Sequence, residues 1–245
     1  VSLEISASSD IFVEKIFGGA RFLVCLPLWK EGFVHGFGGS EGVDFELFKK
    51  ELSITNNISC KQVHGITILD INLGDYKSSE TYEADGILGL TENSRDTNST
   101  CIYIKTADCV PLIMIGPKMT AVVHAGWRGL ASGIVKQALD LTKPISVIIG
   151  PCARDCCYEV GNEVIEAMSG FAAYKAKSNK LYLSTGQTAS NIINSYNLDN
   201  GNTVNIFDCN ICTICDTRFN SYRRQRDFSR NINFALVKNP TFSAC

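Results

Sequence analysis

Histidine is scarce in this chain, three residues among 245, so chemistry that needs many imidazoles is excluded from the start. Long apolar runs are also missing. None reaches the roughly 18 residues that read as a membrane-spanning helix. No charge of one sign dominates: 23 Lys and Arg against 25 Asp and Glu give a formal net charge of −2. Nothing in that balance points to nucleic acid or to an anionic membrane surface. Residues 1–10 lack the basic start, apolar core and small-residue cleavage site of a secretory signal, and the missing initiator Met suggests a trimmed start. No repeat, low-complexity tract or Pro/Gly/Ser-rich linker divides the sequence, so residues 1–245 are expected to form a single domain with a sizeable core.

Cysteine, by contrast, is abundant. An odd count of eleven, with no secretory signal and a large core, argues for reduced thiols and a cytoplasmic protein. Most of these thiols read as small buried hydrophobes.

The apolar, β-prone segments 22–28 and 66–73 are expected to be strands, and 43–52 has helical spacing at Phe45, Phe48 and Leu52. Residues 74–82 and 91–100 are polar and read as loops, and 84–89 as a turn into a strand. The middle of the chain has the strongest pattern. Segments 101–105, 112–115, 120–124 and 145–149 are short, apolar and rich in β-branched residues, as strands buried on both faces are. Between the last two, 130–141 places Ile134, Ala138 and Leu141 on one helical face, which suggests a crossover unit. Segments 161–171 and 185–196 read as helices and 204–207 as a late strand. The fold class is α/β, with a mixed sheet and helices on both faces.

Three residues carry the chemistry. His64 lies in Lys61-Gln62-Val63-His64-Gly65, Cys109 in Thr106-Ala107-Asp108-Cys109-Val110-Pro111, and His124 in Val123-His124-Ala125-Gly126-Trp127-Arg128-Gly129. Two imidazoles and a thiolate suit zinc, and three protein ligands leave a fourth position for water or substrate, as catalytic sites do. Cys109 is expected after a strand, with Pro111 forcing a turn. His124 ends a strand, where α/β sheets bind ligands. Gly126 and Gly129 permit close backbone approach, and Arg128 offers a bidentate phosphate contact. Asp108 and Asp85 are candidate carboxylates for orienting a ligating imidazole or for acid–base work, although Asp85 reads equally well as a turn former. His35 reads as a satisfied core or surface histidine. Glu159 is expected at a helix start, favourable against the dipole.

Two other features compete. Cys209, Cys212 and Cys215 form overlapping CxxC units suggesting half a metal site, but a fourth thiolate is not near in sequence before Cys245. Cys156 and Cys157, being adjacent, are read as structural. Phe219-Asn220-Ser221-Tyr222-Arg223-Arg224 sets aromatics beside guanidiniums, a combination suited to a base and a phosphate.

Taken in order, these motifs resemble the YfiH family, also called the laccase-domain or multicopper polyphenol oxidoreductase family. The resemblance runs from Gln62 to Arg224 with a weaker tail at Arg230. It implies a single three-layer α/β domain and a zinc site of His64, Cys109 and His124, with copper as the alternative metal. It implies purine nucleoside phosphorylase activity on adenosine, inosine, guanosine and methylthioadenosine, together with adenosine deamination. The expected catalytic residues are His64, Cys109, His124 and Asp108, and the expected substrate-binding residues are Gln62, Arg128 and Arg223. The partners are a purine nucleoside and phosphate, with no nucleic acid and no membrane. An Arg that family members carry before a Gly-Gly pair is missing at Phe37-Gly38-Gly39-Ser40.

Two alternatives stand beside this. Cys109 with His124 as base would make a cysteine hydrolase or amidase acting on a peptidoglycan precursor. Copper oxidation of phenols would need several imidazole-rich copper sites, which three histidines cannot supply, although a lone copper fits the trio.

Overall fold

The structure is a computed structural model that describes residues 11–74, 76, 82–93, 99–168, 170–201 and 203–240. Residues 1–10, most of the loop expected at 74–82, part of that at 91–100, and Cys245 lie outside the described residues. In chain order the elements are β1 (Phe12–Phe17), β2 (Ala20–Cys25), α1 (Leu26–Lys30), β3 (His35–Gly38), α2 (Phe45–Glu51), β4 (Ile54–Ile58), β5 (Ile68–Asp70), β6 (Gly86–Leu90), β7 (Ser99–Thr106), β8 (Val110–Ile115), β9 (Met119–Ala125), α3 (Trp127–Ser132), α4 (Ile134–Thr142), β10 (Ser146–Ile149), β11 (Glu159–Val160), α5 (Asn162–Ala167), β12 (Tyr174–Lys177), β13 (Lys180–Leu183), α6 (Thr185–Asn200), β14 (Asn205–Asp208), α7 (Tyr222–Gln225) and β15 (Asn231–Lys238).

The mixed α/β architecture is present, but two six-stranded sheets stand where one was expected. One runs β1-β2-β3-β15-β7-β4, the other β14-β10-β8-β9-β6-β5, and a small sheet runs β11-β13-β12. Strand alternation explains the layering. Ile87, Ile113, Ile115, Val122 and Ile148 of the second sheet meet Leu23, Phe37, Ile102, Ile104 and Val237 of the first in one cluster. The opposite faces of those strands turn outward. Leu112, Met114, Ala121, Val123, Val147 and Ile149 pack under Leu130, Ile134, Val135, Ala138 and Ile193 of the helices. Phe22, Cys101, Tyr103 and Phe234 pack with Phe48 of α2 on the far side. The layers are therefore helix, sheet, sheet, helices: four rather than three. Among the described residues no helix is long and apolar enough to cross a membrane.

Strands β9 and β10 are both antiparallel to β8, which lies between them. The expected crossover is therefore real but spans one strand. Its helix is divided, because Gly133 at φ +95° both ends α3 and begins α4. Other differences have local causes. The strand expected over 22–28 ends at Cys25, where Pro27 favours the first turn of α1. The strand expected over 66–73 shortens to β5 because Asp70 turns back onto Asn72. Pro111 lies inside β8 rather than ending it. Its carbonyl accepts from Gly150, just past the end of β10, so the ladder needs no N–H there. Glu159 sits in β11 and pairs with Lys180 at 2.9 Å, and the helix begins three residues later with α5.

Candidate metal centre and active site

His64, Cys109 and His124 come from three separate loops and strand ends, yet their ligand atoms lie within 4.8 Å of one another. His124 sits near the end of β9 on the face that Val122 presents to the other sheet, and Cys109 immediately precedes β8. His64 is in the loop before β5. The Cys109 Sγ is 3.9 Å from His64 Nε2, and the two imidazoles meet edge to face at 4.8 Å between centroids.

Asp85 organises this cluster. The His124 Nδ1–H donates to its carboxylate at 2.8 Å, which fixes the ring's tautomer and leaves the other nitrogen for Cys109 or a metal. The same carboxylate accepts the backbone N–H groups of Val63, His64 and Gly65, the last at 2.6 Å. Burial would raise its pKa, but these donors hold it below the ordinary carboxylate value. The bonds also offset backbone strain. His64 has φ +60°, a region costing a non-glycine residue about 1–3 kcal/mol.

The glycines serve the cluster directly. A Cβ on Gly126 would lie 2.9 Å from His64 Cδ2 and 3.1 Å from Cys109 Sγ, and one on Gly129 would lie 3.2 Å from the Gly65 carbonyl. Only a bare backbone lets the turn after β9 approach the His64 loop so closely.

The electrostatics couple the pair. Burial alone would raise the Cys109 thiol, but His124 and His64 bring it down to about 6. Burial would lower His124, but the Cys109 thiolate and Asp85 push it up to about 9. The donor set, two imidazoles and an acidified thiol converging at bonding range, fits a transition metal. His64 is exposed and Cys109 only half-buried, so solvent reaches one side of the cluster.

The remaining expected residues are distributed around it. Arg223 is exposed, lies 4.6 Å over the Tyr158 ring, and donates to the Glu159 carbonyl. Tyr158 is held above its usual pKa by burial, with Cys109, Arg223 and Asp108 all acting on it. Arg128 is exposed and stacks over Trp127 at 4.4 Å. Asp108 is buried, and its two oxygens accept the Thr213 hydroxyl and the Arg223 backbone N–H, both at 2.7 Å. The Gln62 amide pairs in both directions with the Lys105 backbone at 2.8 Å, fastening the His64 loop to β7. Arg224 donates to the carbonyls of Thr213, Ile214 and Phe219 and so braces its loop. His35 is a core histidine, its Nδ1–H donating to Phe33 O while Nε2 accepts the Cys25 N–H.

Sequence reasoning left one participant open and missed another. Asp85, an orienting carboxylate or a turn former on sequence alone, is the carboxylate that holds His124 and the His64 loop. Tyr158 was passed over for its neighbour Glu159. An aromatic following a Gly-Pro turn was the available signal.

Residues 44–238 match the family model described as multi-copper polyphenol oxidoreductase laccase. The chain is 32% identical over 166 residues to a purine nucleoside phosphorylase of Aquifex aeolicus, covering 66% of this chain and 74% of that protein. It is 31% identical over 195 residues to one of Clostridium acetobutylicum, covering 73% and 75%. It is 30% identical over 203 residues to purine nucleoside phosphorylase YfiH of Escherichia coli, covering 76% and 78%. The fold matches that of YlmD from Geobacillus stearothermophilus with a TM-score of 0.73 at 21% identity, covering 94% of this chain and 99% of that one.

Proposed function

This chain belongs to the multi-copper polyphenol oxidoreductase laccase family, and from that premise we propose that it is a zinc-dependent purine nucleoside phosphorylase. The observation that carries this reading is the cluster of His64, Cys109 and His124, three donors within 4.8 Å with a solvent-facing side. Curated relatives that bear the phosphorylase name support it.

Soft thiolate and imidazole donors suit zinc, which would supply Lewis-acid polarisation of a substrate oxygen or nitrogen. The chain's own residues handle the rest. Arg223 and Arg128 bind phosphate. Asp108, with both oxygens occupied as acceptors, positions Arg223 rather than giving up a proton. Phosphate oxygen bonds to C1′ as the glycosidic bond breaks, and the purine leaves with the electron pair and takes up the proton that the attacking hydrogen phosphate gives up. Tyr158, beneath Arg223, is the apolar wall for the base. The role of the Arg missing before Gly38-Gly39 falls to Arg223 and Arg128. The nearby guanidiniums of Arg21 and Arg218 are ion-paired with Glu41, and with Glu14 and Asp216.

Laccase chemistry is disfavoured by count: with His35 engaged in the core, His64 and His124 alone remain for any copper. A cysteine hydrolase is the second reading, favoured by the Cys109–His124–Asp85 chain and its lowered thiol. A metal on Cys109 would quench that nucleophile.

The test is product analysis with adenosine, with and without phosphate, for zinc-loaded wild type and His124→Ala. Phosphate-dependent adenine and ribose 1-phosphate, absent from the variant, are expected. Inosine alone would mean a deaminase without phosphorolysis. No turnover of any purine nucleoside would overturn the reading and bring the cysteine hydrolase forward.

A further inference from the structure

Cys156, Cys157, Cys212 and Cys215 form a second cluster, with all four sulfurs within 4.8 Å of one another. The sequence argued against it on two grounds, and the fold removes both. The missing thiolates do not follow Cys215: two of them, Cys156 and Cys157, arrive from the distant loop between β10 and β11. Adjacent cysteines diverge in a strand, where side chains alternate. Residues 154–158 instead form a turn in which the N–H groups of Cys157 and Tyr158 both donate to the Arg154 carbonyl. Both thiols then reach Cys215, at 3.4 Å from Cys156 and 2.8 Å from Cys157. Cys209 is not part of the cluster: it is buried among apolar side chains of the sheet interface.

We propose that these four cysteines bind one zinc ion as a closed structural site, separate from the His64 cluster, which fastens the loop carrying Thr213 behind Asp108. Zn–S bonds of about 2.3 Å place tetrahedral sulfurs about 3.8 Å apart, which the cluster reaches with small side-chain shifts. An iron–sulfur cluster interposes several atoms and needs its thiolates farther apart. The two loops are already joined by backbone beside the cluster, the Cys152 N–H donating to the Ile211 carbonyl and the Thr213 N–H to the Cys152 carbonyl. Binding releases the thiol protons to solvent. Four protein ligands leave no position for substrate, so the role is structural.

That role has a target. Between Cys212 and Cys215, Thr213 donates to Asp108, and its carbonyl and that of Ile214 receive Arg224. From the other loop, Tyr158 follows Cys157 and underlies Arg223. One ion would thus tie together the two loops that flank Asp108.

The test leaves the cysteines intact. A His64→Ala/His124→Ala double variant, expressed under reducing conditions and analysed for metals, is expected to retain one zinc per chain. Loaded with cobalt instead, it is expected to show the intense near-ultraviolet sulfur-to-cobalt charge transfer of four thiolates. Cys156→Ser/Cys215→Ser in the same background removes both signals, with circular dichroism reporting whether the fold persists. A double variant with no bound zinc and no cobalt band overturns the proposal. So does stoichiometric iron, or a Cys157–Cys215 disulfide found by mass spectrometry in the isolated protein. None of these readouts depends on nucleoside turnover, so the result stands whatever the fate of the phosphorylase reading.

Discussion

Two clusters of His and Cys side chains occupy neighbouring loops of this chain and differ in donors, number and support. The His64–Cys109–His124 cluster mixes imidazole with thiolate, supplies three donors and faces solvent on one side. Its geometry is braced by Asp85, which reaches His124 and the His64 backbone together. The Cys156–Cys157–Cys212–Cys215 cluster supplies four sulfurs, and the backbone bridge between Cys152 and Cys212 braces it. The contrast teaches how one fold separates chemistry from scaffolding. Three ligands and an orienting carboxylate leave a working position, while four thiolates close the sphere.

The sharpest way to break the comparison is to remove one imidazole. His124→Ala is expected to take phosphorolysis to background while metal analysis still finds the ion in the cysteine cluster. Loss of both ions together would show that the clusters are one unit. Asp85→Asn comes next. It keeps the ligands but turns one accepting oxygen into an amide NH2, which then faces either His124 and the His64 N–H or the Val63 and Gly65 N–H groups as donor against donor. Metal affinity at the imidazole cluster is expected to fall about 10–100-fold, read by competition with a chelating dye.

Gly126→Ala sharpens the geometric side of the contrast. Its new Cβ would lie 2.9 Å from His64 Cδ2, and overpacking of that kind costs about 1–3 kcal/mol. Urea unfolding should register the loss, and zinc occupancy of the imidazole cluster should fall with it. The cysteine cluster should remain loaded.

The smallest effect concerns His35, the histidine outside both clusters. Burial depresses its pKa from 6.5 to about 4, so the unfolded chain binds a proton that the folded chain refuses. Stability is unaffected by this group above its unfolded pKa and falls as pH drops from about 6.5 toward 4. Between pH 7.5 and 5 the loss is about 2 kcal/mol. Urea midpoints for wild type and His35→Gln should converge by that amount over this interval. Parallel curves would show that another group carries the acid sensitivity.

The sheet strands were legible where patterns were pure. Segments 101–105, 112–115 and 145–149 became β7, β8 and β10 with small changes at their ends. The central strand β15 was not, because Asn231 and Asn233 interrupt its apolar run. Tertiary partners satisfy them: Asn231 exchanges bonds with Asn220, and Asn233 donates to Thr106. Local pattern sees a polar residue and not its partner, so such strands escape it. The site residues divide similarly. Gln62 and Arg224 stood in motifs, but only distance showed that they brace backbone, while Arg223 lies over the Tyr158 ring.

The sequence by itself determined the α/β class, the family and the three residues, His64, Cys109 and His124, that the fold gathers, because side-chain chemistry and apolar periodicity are local properties. Tertiary structure decided that the strands form two sheets, that Asp85 is the orienting carboxylate, and that Cys156 and Cys157 join Cys212 and Cys215. Each of those facts is a distance between segments remote in the chain. It depends on how whole faces of strands are buried against one another, which no short stretch of residues encodes.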